Sequence, residues 1–131
     1  VDHADQALKG VISGINLGTD TPRVFKSLVE ATCFGARKIT ERFQDEGVAI
    51  EGVIALGGVA KKSPYVMQTL SDVLQMPIKV GKSEQTCALG AAMFAAVAAG
   101  KYDKVEAAMK NMGPGFEKTY QPNKERAPLI Y

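Results

Sequence analysis

Two adjacent glycines, Gly57 and Gly58, follow the apolar run 53–56 and precede Ser63 and Pro64. Because glycine has no Cβ atom, it lets the backbone adopt left-handed angles and lets a flat ligand lie against it. Serine, as at position 63, is a favoured helix N-cap. Proline, as at position 64, suits the first helical position, because the backbone N–H that it lacks would have no partner within the helix there. The free amides of a helix N-terminus bind anions. This pattern is typical of a nucleotide-binding turn, but it also occurs as a purely structural link between strand and helix.

The sequence offers no convincing catalytic centre. Asp72 and Asp103 are the candidate general bases, but Asp72 lies on a predicted helix well past the glycine turn, and Asp103 fits better as a helix cap. The single histidine, His3, lies near the start of the chain, so a serine–histidine–aspartate triad or a Cys/His metal site would depend on it. No Walker-type phosphate loop occurs. We therefore expect neither a catalytic residue nor a metal ligand in this chain.

Composition is that of an ordinary globular protein. The 131 residues form one domain or part of one, and the chain begins at Val1 without methionine, so we expect a piece of a larger protein. A net charge of +2 with scattered basic residues argues against nucleic acid binding. No apolar run is long enough for a membrane span. Cys33 and Cys87 both lie in apolar helical patterns, which predicts buried free thiols and a cytoplasmic location.

Strands and helices are predicted to alternate along the chain. Runs of branched apolar residues predict three strands, at 9–17, 50–56 and 77–80. Helical periodicity predicts four helices, at 22–46 after a Thr21 cap, at 64–75, at 86–99, and at 104–112 after a capping box of Asp103 and Glu106. The proline- and glycine-rich residues 113–131 are expected to be an irregular extension. This order indicates a short, mostly parallel sheet covered by helices, an α/β fold.

The predicted helix at 86–99 carries small residues along one face, including Ala88, Gly90 and Ala91. Such a face allows another backbone to approach closely, as at a domain hinge or beside a nucleotide cleft. The alternative is a helix filled with alanine because alanine is the best helix former. If the first interpretation holds, the small-residue face is buried.

Three segments, in order and spacing, resemble the C-terminal domain of the FGGY carbohydrate kinases. They are EATCFGARKI, GGVAKKSPYVMQTLSDVLQMPIKV and SEQTCALGAAMFAAVAAGKY. Within that family, the chain is most similar to the ribulokinase branch. The longer loop between Gly58 and Met67, the phrase SEQTCALGAA and the closing KTYQPN carry this similarity. The resemblance extends from about residue 8 to residue 123.

The resemblance implies that residues 1–131 are the nucleotide-side part of a larger kinase, with a ribonuclease-H-like half-domain of the actin and sugar-kinase type. Kinases of the ribulokinase branch transfer the γ-phosphoryl group of ATP, with Mg²⁺, to the 5-hydroxyl of L-ribulose in arabinose catabolism. The family's catalytic aspartate and phosphate-binding loops precede this region, so the isolated chain is expected to be inactive. ATP and sugar would then be bound together with the preceding part of the protein.

The family's functional positions fall on particular residues of this chain. The glycine pair that lines the adenosine pocket is Gly57 and Gly58. The family's base-contacting asparagine falls on Ser63, which is shorter, so a water molecule or Lys62 would complete the contact. The hinge-side helix is represented by Ala88, Gly90 and Ala91. Glu84 occupies an acidic position just before that helix, where it either contacts the ligand or caps the helix in solvent.

The alternatives that remain are a non-catalytic packing or regulatory module built from the same fold, and a kinase for another sugar such as xylulose or glycerol. In the family's fold, the segments 9–17, 50–56 and 77–80 correspond to the third, fourth and fifth strands, and the first two strands are absent. The strand at 50–56 would then have an open edge. We therefore expect the chain to associate by strand exchange, or to place residues 9–17 beside that edge.

Overall fold

The computed structural model describes residues 7–126, so His3 and residues 127–131 lie outside the described part. The chain divides into two compact units, Val1–Ile50 and Glu51–Tyr131. In the first unit, helix α1 spans Thr21–Asp45. The side chain of Asp20, not Thr21, caps this helix by accepting a hydrogen bond from the Arg23 N–H. Gly47 follows the helix with φ of 82°, which confirms the predicted glycine stop.

Residues 8–16 form no strand, so the strand predicted at 9–17 is wrong. Gly14 has φ of 76°, a left-handed value that interrupts extended backbone. Asn16 then closes a turn, because its side chain accepts from the Gly18 N–H and its carbonyl accepts from the Thr19 N–H. The alternative that this segment pairs beside 50–56 is also wrong, because the described sheet contains no strand from the first unit.

The second unit contains the sheet and the remaining helices. Its elements in chain order are strand β1 (Val53–Ala55), helix α2 (Gly58–Lys62), helix α3 (Pro64–Leu74), strand β2 (Ile78–Gly81), helix α4 (Thr86–Ala98), helix α5 (Val105–Met112), strand β3 (Phe116–Tyr120) and the 3-10 turn Lys124–Arg126. The strands at 50–56 and 77–80 and the helices at 64–75, 86–99 and 104–112 are thus present, with ends that differ by a few residues.

The sheet has the order β1-β2-β3. Strand β1 runs parallel to β2, with Val53 opposite Ile78 and Ala55 opposite Val80. The parallel pair confirms the relation predicted between these two strands. On its other side β1 has no partner strand among residues 7–126, so the expected open edge is present.

Strand β3 was not predicted and corrects the interpretation of residues 113–131 as irregular. It runs antiparallel to β2, and Tyr120 lies opposite Ile78. Proline and glycine at 113–115 end helix α5 and turn the chain, but the residues that follow, FEKTY, contain the aromatic and β-branched types that favour strands.

The predicted capping box is also wrong: α5 begins at Val105, and the cap residue Lys104 makes no side-chain bond to the helix.

The buried core lies on one face of the sheet, beneath helix α3. It is formed by apolar residues that alternate along the strands and recur along the helix: Ala60, Met67, Ile78, Val80 and Tyr120. The opposite face carries Ile54 and Phe116, both about half exposed. Since side chains of a strand alternate between faces, the short strand β1 contributes Val53 and Ala55 to the core and Ile54 to the open face. The predicted α/β class, with helices packed on a short sheet, is confirmed, but the sheet is mixed and not mostly parallel, because β3 runs antiparallel to β2.

Candidate nucleotide-binding site

The turn after β1 presents bare backbone to solvent. Gly57 has φ of 89° and ψ of −176°, angles that a residue with a side chain rarely adopts, and it precedes the first residue of α2. Gly58 begins that helix, and a Cβ atom placed on it would meet no heavy atom within 4 Å. Both glycines are exposed. The predicted left-handed turn is confirmed at Gly57, and the space above Gly58 is open for a flat ligand.

A short helix separates this turn from α3, which the sequence did not indicate. Helix α2 has only five residues, and Lys62 is its exposed last residue. Ser63 then caps α3: its hydroxyl accepts a hydrogen bond from the Val66 N–H at 3.4 Å. Pro64 is the first residue of α3. The capping role of Ser63 and the position of Pro64 are therefore as predicted.

Opposite the glycine turn lies the loop between β2 and α4. A cleft of about 280 Å³ is lined by one residue of the glycine turn, the apolar residue before it, and four residues from this loop and the start of α4: Gly57, Leu56, Glu84, Gln85, Thr86 and Cys87. Two hydrogen bonds organise the loop, one from the Gln85 N–H to the Ser83 hydroxyl and one from the Thr86 hydroxyl to the Ser83 carbonyl. The structure thus brings Gly57 and Glu84 to one cleft, whereas Lys62 and Ser63 are not among the lining residues.

Glu84 does not cap helix α4. The cap residue is Gln85, whose side chain accepts no hydrogen bond from the helix, and Glu84 is exposed in the preceding loop. Glu84 therefore lines the cleft without a capping bond to hold its side chain.

Lys61 is the residue near the cleft that sequence reasoning missed. Its Nζ donates a hydrogen bond to the Lys82 carbonyl oxygen at 2.7 Å, and it lies 3.4 Å from Glu117 Oε2. The Lys61 side chain is 18% exposed, although the adjacent Lys62 is an exposed residue. The sequence shows two neighbouring lysines of equal character, and only the positions of distant residues distinguish them.

The small-residue face of α4 is not buried in this chain, contrary to expectation. Ala88 and Ala91 are exposed, and Gly90 is half-buried, with open space for 4 Å around the point where a Cβ atom would lie. Met93 is the buried residue of this helix. Since no backbone approaches Gly90 within the described chain, the close contact that would explain the small residues is not formed here.

A larger groove of about 520 Å³ lies between the open face of the sheet and helices α4 and α5. Its walls include the apolar side chains of Ile54, Leu89, Met93, Met109 and Phe116. Four polar side chains also line this groove, those of Lys82, Ser83, Thr86 and Lys110. A mostly apolar wall with a few polar groups is typical of small-molecule sites, so the groove is a second concave surface beside the glycine turn.

The two aspartates considered as bases have other positions. Asp72 is fully buried and accepts hydrogen bonds from Gln68 Nε2, the Asn123 N–H and Arg126 Nη1. A carboxylate held by three donors inside the protein is not available to a substrate, which supports its rejection as a base. Asp103 is exposed and lies outside α5, so its predicted capping role is wrong.

The cysteines differ in environment. Cys33 is buried as predicted, but Cys87 is exposed, and both are free thiols. Burial raises the pKa of the Cys33 thiol, and the negative charge of Glu30 raises this pKa further.

Among residues 7–126, no group of histidine, cysteine and acidic side chains is arranged to hold a metal ion. None of the helices in that range has the length and apolarity needed to cross a bilayer.

The fold and the glycine turn together define a small α/β domain with an exposed backbone turn at the end of a strand. Residues 2–99 match the C-terminal domain of the FGGY family of carbohydrate kinases, and the chain belongs to that family. The chain is similar to a ribulokinase of Vibrio parahaemolyticus, with 49% identity over 120 residues that cover 92% of this chain and 21% of that protein. It is 43% identical to a ribulokinase of Bacillus licheniformis over 129 residues, which cover 95% of this chain and 23% of that protein.

Solved structures of sugar kinases share the fold. A xylulose kinase from Rhodospirillum rubrum matches with a TM-score of 0.80 at 23% identity, over 96% of this chain and 25% of that one. Plasmodium falciparum glycerol kinase with ADP matches with a TM-score of 0.72 at 22% identity, over 91% of this chain and 24% of that one. The predicted sugar-kinase fold is therefore confirmed. The chain spans about a fifth of the length of the ribulokinases it matches.

Proposed function

We propose that this chain is the adenine-nucleotide-binding portion of an ATP-dependent sugar kinase of the ribulokinase type. The observation that carries the proposal is the exposed left-handed turn at Gly57, which faces Glu84 across a cleft in a chain of the FGGY family. In this proposal, the base of ATP lies against the backbone of Gly57 and Gly58. Lys62 and Ser63 lie beyond the turn, where they reach the base or ribose edge directly or through water.

The complete protein would transfer the γ-phosphoryl group of ATP to a hydroxyl of L-ribulose, in the breakdown of arabinose. Asp72 is not available as a catalytic base, because three donors hold its buried carboxylate inside the protein, and we propose that the base belongs to another part of the complete protein. When bound, Mg²⁺ neutralises charge on the transferring phosphate. In this proposal, other parts of the complete protein hold the metal. The two free cysteines favour a reducing compartment, and we propose the cytoplasm.

The hinge role of Ala88, Gly90 and Ala91 belongs to the same proposal. Ala88 and Ala91 are exposed and Gly90 has open space beside it, which leaves a helix face without bulky side chains for close contact with a preceding part of the protein. A helix face of this kind permits a short distance between two backbones, which a moving domain boundary requires. The contact would form only in the complete kinase.

The test uses a chimeric kinase in which this chain replaces the matching segment of the Vibrio parahaemolyticus ribulokinase. ATP-dependent phosphorylation of L-ribulose is measured for the chimera and for Gly58→Ala and Gly58→Val. Valine at an open position facing the base should raise KM for ATP about tenfold or more, and alanine should raise it less. KM for the sugar should stay nearly constant, because the substitution lies on the nucleotide side.

Two results would contradict the proposal. Equal increases in KM for ATP and sugar would remove Gly58 from the nucleotide site. An inactive chimera that folds and binds neither substrate would instead favour a non-catalytic module.

In the same chimera, Ser63→Asn keeps a residue that caps helices well, and it should lower KM for ATP if the Ser63 position contacts the base.

A further inference from the structure

The two walls of the cleft are joined through a single residue. The backbone N–H of Lys61 donates to the Gly57 carbonyl oxygen at 3.3 Å, and its Nζ donates to the Lys82 carbonyl oxygen at 2.7 Å. Gly57 belongs to the turn after β1, whereas Lys82 begins the loop that leads to Glu84 and the start of α4. Lys61 therefore contacts one backbone carbonyl on each side of the cleft.

Both backbone polar groups of Lys82 form hydrogen bonds. Its N–H donates to the Gly115 carbonyl oxygen at 3.0 Å, and its own carbonyl accepts from Lys61. Because the donor is a charged ammonium group, this bond is stronger than one between neutral groups. Glu117, at 3.4 Å from Nζ, supplies a negative charge beside the ammonium group. Of these contacts, the hydrogen bond from Lys61 comes from the wall of the cleft that carries Gly57.

Holding a lysine side chain nearly buried lowers its conformational entropy, and the fold must compensate for this loss. An exposed lysine such as Lys62 has no such cost. At Lys61, the hydrogen bond that compensates for this loss fixes a loop. It does not join the buried core, because neither Lys82 nor Glu117 belongs to the core cluster. Lys61 is therefore placed to control the spacing between the two walls.

We propose that Lys61 is a positioning residue that holds the loop at residues 82–85, and with it the start of α4, at a fixed distance from the Gly57 turn and thereby sets the affinity of the cleft for adenine nucleotide. The inference rests on the proposed function for the identity of the ligand. It assigns no contact between Lys61 and the nucleotide. Its role is to keep Glu84, Gln85 and Thr86 opposite Gly57.

The first measurement is amide hydrogen exchange in the 131-residue chain, with Lys61→Met, Lys61→Arg and the neighbouring control Lys62→Met. Lys61→Met keeps the apolar stem but removes the donor, so amides in peptides covering residues 82–87 should exchange about tenfold faster. Amides of helix α3 should be unchanged. Lys61→Arg retains a charged donor and should restore most of the protection, and Lys62→Met should have no effect.

The second measurement is the steady-state kinetics of Lys61→Met and Lys61→Arg in the chimeric kinase. Lys61→Met should raise KM for ATP about tenfold with kcat and KM for the sugar within about twofold, because one charge-assisted hydrogen bond is lost. Lys61→Arg should restore KM for ATP. A purely structural role would instead lower the amount of folded enzyme and reduce kcat without this selective change.

The outcomes separate the inference from the proposed function. Unchanged exchange at 82–87 in Lys61→Met overturns the inference, whatever the kinetics show. Faster exchange with an unchanged KM for ATP, in a chimera that uses ATP, also overturns it. A chimera that does not use ATP contradicts the proposed function, and hydrogen exchange alone then decides whether Lys61 holds the loop. If Lys61→Met does not fold, Lys61→Leu, which also lacks a donor, is measured in its place.

Discussion

The carboxylate of Asp72 accepts a hydrogen bond from Arg126 at 2.8 Å, although 54 positions separate the two residues in the sequence. Asp72 lies on α3 and is completely buried, and Arg126 ends the 3-10 turn after β3. Gln68 strengthens the same connection by donating to both the Asp72 carboxylate and the Gln121 carbonyl. These bonds fasten the segment after β3 onto α3.

Arg126→Met should lower the free energy of unfolding by about 1–2 kcal/mol, because the buried carboxylate loses one of its donors. The Arg126 side chain is 34% exposed, and solvent screening keeps the loss below that of a fully buried pair. Arg42→Met is the matched control, since Arg42 pairs with Glu46 on the surface of α1 and its removal should cost less than about 0.5 kcal/mol. Urea unfolding compares the two, and equal losses would contradict the special role of Asp72.

Gly57→Ala should destabilise the chain by about 1–2 kcal/mol, because alanine is strained in the left-handed region. Gly57 has φ of 89°, whereas Gly58 begins α2 and has open space around it. Gly58→Ala should therefore leave the unfolding midpoint nearly unchanged. Thermal melts of the two variants make the comparison. A similar stability for both would show that the turn does not require the left-handed angle.

Gly90→Leu should not destabilise the isolated chain. The position is helical and has no neighbour within 4 Å, so leucine should raise stability by up to about 1 kcal/mol through its better helix propensity. In the chimeric kinase, the same variant should reduce activity if the helix face contacts another domain. A melting temperature that falls by several degrees in the isolated chain would indicate a packed face and reverse our conclusion.

Cys87 should react with iodoacetamide at least about tenfold faster than Cys33 at neutral pH, because the thiolate is the reactive form and must be accessible. Cys33 is 2% exposed, and burial raises its pKa, so its thiolate forms at higher pH than that of an ordinary thiol. The Cys33 reaction should therefore accelerate only when the pH is raised above the range in which an ordinary thiol deprotonates. Mass spectrometry of the two labelled peptides gives both rates, and equal rates in the folded chain would contradict the assigned environments.

The isolated chain should form dimers or larger species at micromolar concentration, because β1 has one unpaired edge among the described residues and exposed strand edges recruit other strands. Ile54→Lys places a charge on this strand and should reduce association. Phe94→Lys is the control, since Phe94 is similarly exposed but lies on α4. Light scattering that shows a monomer, or equal effects of the two substitutions, would contradict association through β1.

Local chemistry determined much of the structure in advance. Ser63 and Pro64 begin a helix because their preferences act within one turn, and glycine at 57 permits the left-handed angle whatever surrounds it. The apolar runs at β1 and β2 predicted strands correctly, because branched side chains favour extended backbone that is buried on one face. These features depend on neighbouring residues, which a sequence displays directly.

Tertiary structure decided the features that depend on distant partners. Residues 9–17 have strand-like composition, but a strand requires another strand to satisfy its hydrogen bonds, and none of the described strands pairs with it. Strand β3 exists because β2 offers it an edge, despite the glycine and proline residues before it. Lys61 and Lys62 look alike in sequence, and only the approach of the Lys82 carbonyl makes one a bridge across the cleft and leaves the other in solvent. Pairing and burial are set by contacts across many residues, and local preference does not encode them.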